Sequence, residues 1–282
     1  VLFSFAPTMA SPAANAGEMF ITANRWGESP VLILSDVQVM QKEDIERSGA
    51  YSLTDLLARL PGVQSTSFGG NNVYVRGAES RMTALYIDGV RIESHDGLQM
   101  GGGAPWGLIP LEMIERVEIV KGPSSSLYGS EAMGGVINII TEPLLRNQFQ
   151  AGVRYGSFAT TDVYASGNWK TNKAGVYYFV NRNSGNGYEL DPATPEKTLD
   201  PYYNYTAQFK LSYQFSNRTK LVLNNRYFYG WQDSYYAIND KNINIAGGGR
   251  TNDYTINPVL THQFSDKVKT RLSLVGSGFR YV

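Results

Sequence analysis

The sequence predicts an α+β domain followed by antiparallel strands of a transmembrane β-barrel, and three observations carry that prediction. Up to Thr141, helical and strand-type hydrophobic periods are mixed; beyond Pro143 the period is two; and the connections between those later segments alternate between short and long. No apolar run approaches the roughly 20 residues that a transmembrane helix needs. A chain of this kind that crosses a membrane must use strands closed on one another, because hydrocarbon offers no partner to an open backbone group.

Composition narrows the function classes before any motif does. The 282 residues carry 25 Lys plus Arg against 25 Asp plus Glu, so there is neither a basic excess for nucleic acid nor an acidic tail. Cysteine is absent, which removes disulfides, thiolate metal sites and thiol nucleophiles together; the histidines are His95 and His262. With 19 tyrosines, 29 glycines and a mean hydropathy of −0.27, the chain suits sheets that keep one polar face.

Residues 1–10 are moderately apolar, and Ala14-Asn15-Ala16 has the small-x-small form of a signal-peptidase site, so residues 1–16 are expected to be an export-signal remnant. A plain N-terminal tail is the alternative. Glu18, Met19, Phe20, Ile21, Thr22 and Ala23 make a short strand-former, too brief to pack a core. Such a segment suits adding an edge strand to a partner's sheet, or simply opening the next domain.

The α+β domain is expected over residues 30–143. A strand over 31–39 leads to a short polar helix over 41–47, stopped at Gly49. Ser52 to Asp55 can form a capping box for a second helix, in which Leu53, Leu56, Leu57 and Leu60 fall at i, i+3, i+4 and i+7 before Pro61-Gly62 ends it. Strands over 73–76 and 84–87 follow, the latter entering an Asp88-Gly89 turn. Then come a Gly-rich loop over 94–107, a turn or short helix over 109–114, a strand over 116–120, a glycine-punctuated connection over 122–135 and a buried-type strand over 136–140.

In residues 147–282 the pattern becomes repetitive. Tyr205, Ala207, Phe209, Leu211, Tyr213 and Phe215 alternate strictly with Thr206, Gln208, Lys210, Ser212 and Gln214. Residues 220–229 and 268–274 repeat this, and 149–155, 161–169, 175–181 and 254–263 do so less cleanly, giving about seven strands. Short polar turns at 170–173, 216–219 and 265–267 alternate with long stretches at 186–204 and 232–252, an asymmetry found in outer-membrane barrels. Tyr202, Tyr203, Tyr227, Phe228, Tyr229, Trp231, Tyr235 and Tyr236 sit where an interfacial aromatic girdle would lie. A soluble β-sandwich is the competing reading of these strands.

Four blocks carry a family resemblance: residues 56–63 (Leu-Leu-Ala-Arg-Leu-Pro-Gly-Val), residues 73–77 (Val-Tyr-Val-Arg-Gly), residues 85–91 (Leu-Tyr-Ile-Asp-Gly-Val-Arg) and residues 114–141, IERVEIVKGPSSSLYGSEAMGGVINIIT. In this order and spacing they resemble the signature blocks of the plug domain of TonB-dependent outer-membrane receptors, over essentially all of residues 18–143. The resemblance implies that residues 17–29 are the TonB box and a linker, with the box at residues 18–23 offered to TonB and its inner-membrane energising complex. It implies a plug domain at 30–143 and, at 147–282, the first strands of a barrel of about 22 strands, incomplete here. It further implies a monomer in the outer membrane of a Gram-negative-type bacterium, surrounded by outer-membrane lipid, without a cofactor of its own, that takes up a scarce metal chelate: a ferric siderophore, cobalamin or haem. Tyr155-Gly156-Ser157 through Trp169, and Asn186-Gly187-Tyr188, resemble the barrel start of vitamin B12 receptors. Pro105-Trp106 through Ile109-Pro110 and Ser126-Leu127-Tyr128-Gly129 are equally similar to catecholate-siderophore and colicin receptors.

Under that resemblance, ligand capture is expected at outward plug loops, with Phe68, Asn71 and Asn72 in one and His95, Asp96, Gln99, Met100 and Trp106 in another. Tyr188, Tyr202, Tyr203, Trp231, Tyr235 and Tyr236 would contribute from barrel loops. His95 is a candidate haem-iron ligand, the alternative being a plain loop histidine. Asp191, Glu196, Asp200, Asp233 and Asp240 could hold calcium in the outer loops, or be solvated loop acids. Arg76 and Arg116, with Asp88, Glu115 or Glu118, could set a plug-to-barrel contact or be ordinary ion pairs. Two rival classes are weighed. For an enzyme, the Gly/Ser-rich run at 122–130 lacks the Gly-Lys-Ser/Thr end of a phosphate loop, and its serines have no histidine nearby in sequence. An adhesin or passive porin would need neither plug nor coupling strand.

Overall fold

The computed structural model describes residues 2–3, 36–66, 72–92, 106, 109–124, 128, 132–141, 147–188, 201–238, 243–265 and 268–281. The chain divides into two units, Thr8–Pro143 and Val1–Pro7 with Leu144–Val282.

In the first of these, β2 (Asp36–Gln41) leads into α1 (Lys42–Ser48), which stops at the expected glycine: Gly49 takes φ 64°, a left-handed conformation that a Cβ would strain. The helix α2 (Leu53–Ala58) begins at Ser52, whose hydroxyl accepts the Asp55 N–H at 3.2 Å. The reciprocal half of the capping box is displaced by one residue, since the Asp55 carboxylate accepts from the N–H of Tyr51 at 3.2 Å. Leu53, Leu56, Leu57 and Leu60 are all buried, as their helical spacing predicts.

Six further strands follow: β3 (Val63–Thr66), β4 (Asn72–Val75), β5 (Thr83–Ile87), β6 (Val90–Ile92), β7 (Ile114–Lys121) and β8 (Gly135–Thr141). A 3-10 turn at Leu111–Met113 precedes β7. The hairpin β3-β4 stands apart from a five-stranded sheet in the order β2-β7-β8-β5-β6, where β5 and β8 run parallel and the other pairs antiparallel. Val117, Ile119, Ile137 and Ile139 bury their side chains completely at its centre, each contributing roughly 1.5–3 kcal/mol relative to exposure. Asp88 (φ 51°) and Gly89 (φ 81°) make the two-residue turn between β5 and β6. The Asp88 carboxylate then ties that turn to the end of β8, accepting the Thr141 N–H at 3.1 Å and its hydroxyl at 2.7 Å.

The second unit is a single antiparallel sheet. Its strands are β1 (Leu2–Phe3), β9 (Gln148–Tyr155), β10 (Thr161–Lys170), β11 (Ala174–Gly185), β12 (Tyr202–Ser216), β13 (Thr219–Ile238), β14 (Ile243–Ser265), β15 (Val268–Ser273) and β16 (Gly276–Tyr281). They pair in sequence order from β9 to β15, with β1 on the outer edge of β9 and β16 also on β14. Against β14, β15 ends on Val259 and β16 resumes at Ile256 in the same register, so the two are one strand position interrupted at Leu274 and Val275. Among the described residues, β9 to β16 therefore fill the seven positions that periodicity predicts.

Burial in this sheet is inverted relative to a water-soluble one. On β12, Thr206, Gln208, Lys210 and Ser212 are 4–8% exposed, whereas Tyr205, Phe209, Leu211 and Tyr213 are 38–43% exposed. A sandwich would bury the aromatic side. Here the polar face is covered and hydrocarbon faces out along β9, β11, β12 and β14, as a lipid-facing wall requires. The outward positions from Tyr203 to Phe215 span about 40 Å along the strand, or roughly 28 Å along a membrane normal at ~45° tilt, close to the ~30 Å hydrocarbon core.

Two features depart from expectation. Residues 232–252, expected to be a long irregular loop, continue the β13-β14 ladder from Gln232↔Gly249 to Ile238↔Ile243. Gly247, Gly248 and Gly249 depress strand propensity, but the partner strand supplies the hydrogen bonds that propensity does not. Tyrosine rings also lie over glycines of neighbouring strands, Tyr164 on Gly152, Tyr178 on Gly167 and Tyr254 on Gly278, each pair directly opposite in register. A Cβ on any of these glycines would sit 2.3–2.4 Å from a ring carbon.

Candidate functional site

Several expected contact residues fall outside the described residues: Glu18, Met19, Phe20, Ile21, Thr22 and Ala23 of the coupling segment, and Phe68, Asn71, His95, Asp96, Gln99 and Met100 of the plug loops. Asp191, Glu196, Asp200 and Asp240, the calcium candidates, do so as well. What the structure does describe are the roots of those loops and the strand wall.

Asn72 opens β4 and is partly exposed. Trp106, expected among the ligand contacts, is a core residue at 1% exposure. Its indole N–H donates to the Ser80 hydroxyl at 3.2 Å, and the same oxygen accepts the Val73 N–H at 3.2 Å. Ser80 thus joins β4 to Trp106. The indole is buried because its polar edge finds a partner, as aromatic amphiphiles require.

The charged candidates of the plug make contacts within their own domain. Arg116 pairs with Glu118 two residues along β7 at 2.8 Å, and the Asn138 amide donates to the other Glu118 oxygen at 3.3 Å, so a fully buried carboxylate is satisfied on both sides. Arg76 donates to the Lys121 carbonyl at 3.4 Å, and Asp88 serves Thr141 as described.

On the wall, Tyr202, Tyr203, Trp231, Tyr235 and Tyr236 are not loop residues but lie in β12 and β13. Tyr203 and Trp231 share the apolar face with Tyr205 and Tyr229, Tyr203 stacking on Trp231 at 5.1 Å and on Tyr229 at 6.0 Å. They sit in the girdle expected at the strand ends. Tyr202 faces the polar side, opposite Gln232 and Gly185, and Tyr188 packs on Phe158 at 5.2 Å.

The polar face holds residues that sequence reading did not single out. Asp162 accepts from the Asn181 amide at 2.9 Å and the Asn183 amide at 2.8 Å. Arg226 pairs with Asp253 at 3.0 Å, and the Lys210 ammonium lies 5.7 Å from the Tyr177 ring centre. The signal was present, since each occupies the polar phase of its alternating strand. Among the described residues, no three of His, Cys, Asp and Glu come together in a metal-binding group.

The family model described as TonB-dependent Receptor Plug Domain matches residues 32–136. The vitamin B12 transporter BtuB of Vibrio vulnificus (strain YJ016) is 31% identical over 211 residues, which are 72% of this chain and 34% of that protein. The vitamin B12 transporter BtuB of Vibrio cholerae (strain El Tor Inaba N16961) is 33% identical over 228 residues, 76% of this chain and 36% of the relative. The chain thus spans about a third of the length of the curated relatives it matches. Among solved structures, the alcaligin outer-membrane receptor FauA of Bordetella pertussis superposes with a TM-score of 0.70 at 19% identity, covering 94% of this chain and 42% of that one, a likeness of fold. With the mixed plug sheet, the inverted strand wall and these matches together, the chain belongs to the TonB-dependent receptors and comprises a plug domain followed by antiparallel strands of their barrel type.

Proposed function

We propose that this chain is part of an outer-membrane receptor that imports a scarce metal chelate with energy delivered through TonB, and that the chelate is a cobalamin. The observation that carries the transport reading is the inverted wall, with polar groups covered and hydrocarbon outward, in a chain that also contains a plug domain. A passive porin or an adhesin has no use for a plug. The outer membrane lacks a nucleotide supply and a sustained ion gradient, so uphill import past a plug needs mechanical work from another membrane. Residues 18–23, a strand-former on a short lead, are suited to pairing with an energy-coupling protein's sheet. Cobalamin is favoured over iron chelates by the identity of 31–33% to vitamin B12 transporters over more than 70% of this chain. The siderophore receptor FauA supports fold alone, and a ferric siderophore is the second reading.

The test is uptake of radiolabelled cyanocobalamin by cells that lack their own cobalamin receptor and produce this one. Uptake that saturates, depends on TonB and disappears on deleting residues 18–23 is expected. Growth on a ferric chelate with no cobalamin uptake would move the cargo to the siderophore reading; uptake indifferent to TonB would sink the coupling mechanism.

A further inference from the structure

The carboxylates described on the polar face of the strand sheet, Asp162 and Asp253, both lie toward the end opposite the tight turns. Both are partnered, Asp162 by the Asn181 and Asn183 amides and Asp253 by Arg226. About 27 Å further along the same strands, at the tight-turn end, the face is cationic. Lys170, Lys220, Lys269 and Arg271 occupy the polar phase of their strands there, and all four are exposed. Lys220 and Arg271 lie directly opposite Thr261 on either side, roughly 10 Å apart across β14. Lys269 follows along β15, opposite Gln263, and Gln214 lies opposite Lys220. The short connections at this end add Lys173 and Arg218, both exposed.

None of these cations has a carboxylate partner among the described residues. Asp266 and Lys267, in the next short connection, lie outside the described residues. Cations gathered on a protein wall without counter-charge raise a positive potential that draws an anion. Guanidinium and ammonium groups bind phosphate oxygens through charge-assisted hydrogen bonds, and the Thr261 hydroxyl between them can donate a neutral one. Position gives the cluster its role. The polar face lines the lumen of an outer-membrane barrel and the tight turns are periplasmic, so the cluster stands where an imported molecule leaves. A cobalamin carries one anionic group outside its corrin ring, the phosphodiester of its nucleotide loop.

We propose that Lys220, Thr261 and Arg271 form an exit-side phosphate site that takes the phosphodiester of a cobalamin as it passes into the periplasm, with Lys269 and Lys170 extending the positive field around it. The proposal rests on the cobalamin reading above. Its test compares two corrinoids in cells that produce the complete receptor and lack their own. One is radiolabelled cyanocobalamin; the other is cyanocobinamide, which has the corrin ring but neither nucleotide loop nor phosphate. Lys220→Gln with Arg271→Gln is expected to lower the maximal rate of TonB-dependent cyanocobalamin uptake about tenfold, and that of cyanocobinamide less than about twofold. Cyanocobalamin binding to the same cells without TonB reports a folded receptor and is expected to be unchanged, because capture happens at the other end. Lys220→Arg with Arg271→Lys should keep most of the rate, and Arg182→Gln, on the apolar face, should slow neither corrinoid. Each single glutamine substitution should give an intermediate cyanocobalamin rate, so the comparison survives if the double variant does not fold. Equal slowing of both corrinoids, as loss of a docked periplasmic protein would produce, would overturn the site, and so would no slowing of either. If the unaltered receptor takes up neither corrinoid, the cargo reading itself falls and this site with it.

Discussion

Asp88 is the residue whose removal the plug domain should feel most for the fewest atoms lost. Its carboxylate accepts two donors of Thr141, a residue with no exposed surface, and so locks the β5-β6 turn to the end of β8. Hydrogen bonds to a charged group contribute about 1.5–3 kcal/mol net, and truncation leaves a buried Thr141 N–H without its acceptor. Alanine at φ 51° adds about 1 kcal/mol, because the left-handed region tolerates aspartate and asparagine better than other residues with a Cβ. Asp88→Ala should therefore cost roughly 3–4 kcal/mol, a large share of the ~5–15 kcal/mol that holds a domain of this size. Asp88→Asn keeps the conformation and a neutral acceptor, and should cost roughly 1 kcal/mol. Residues 30–143 contain a single tryptophan, the buried Trp106, so urea unfolding followed by its fluorescence reads this domain alone. With m near ~1–3 kcal/mol/M, the alanine variant's midpoint should fall by about 1–4 M. A shift equivalent to less than about 0.5 kcal/mol for Asp88→Ala would refute the claim that this carboxylate joins the turn to the sheet.

Three further outcomes are expected. Gly135→Ala should destabilise the same fragment by about 1–3 kcal/mol, since its Cβ would lie 2.6 Å from the Val120 backbone carbonyl, whereas Gly49→Ala, with nothing within 4 Å, should cost only the ~1 kcal/mol of a left-handed alanine; the same urea titration separates them. On β12, Phe209→Arg at the middle of the apolar band should lower the stability of the receptor folded in lipid vesicles by roughly 2–4 kcal/mol and Phe215→Arg at its edge by about 0–1, and equal effects would argue against lipid on that face. Residues 147–282 expressed alone should aggregate in aqueous buffer because the sheet leaves bare strand edges; a monodisperse soluble product on size exclusion would contradict the barrel assignment.

Much of this architecture is legible because its physics is local. The four leucines of α2 announce a buried helical stripe, and the alternation on β12 announces a strand whose faces meet different solvents. Even the interrupted β15-β16 position is countable, since period two survives a gap. What escaped depends on partners. The strands β3 and β6, four and three residues long, are too short to display a period, and β13 and β14 extend through residues whose composition reads as loop because each lends the other its ladder. Trp106 looked like a ligand contact because glycines precede it; only Ser80, far off in sequence, shows that the indole turns inward. Tyr203 and Trp231 read both as girdle residues and as loop contacts to a ligand, since the side they face follows from register, which the sequence alone does not display.

The rings laid over glycines bear on how such a sheet is assembled. Misalignment by one residue would turn every hydrocarbon side chain toward the polar face and is rejected by solvent alone. Misalignment by two preserves the faces, and solvent is blind to it. At that point Tyr178 would confront Ala165 or Trp169 in place of Gly167, and Tyr164 would confront Gln150 or Arg154 in place of Gly152, each a collision. The small-and-large pairs therefore act as a parity check that lets a growing wall discard the one class of error its amphipathic pattern would pass.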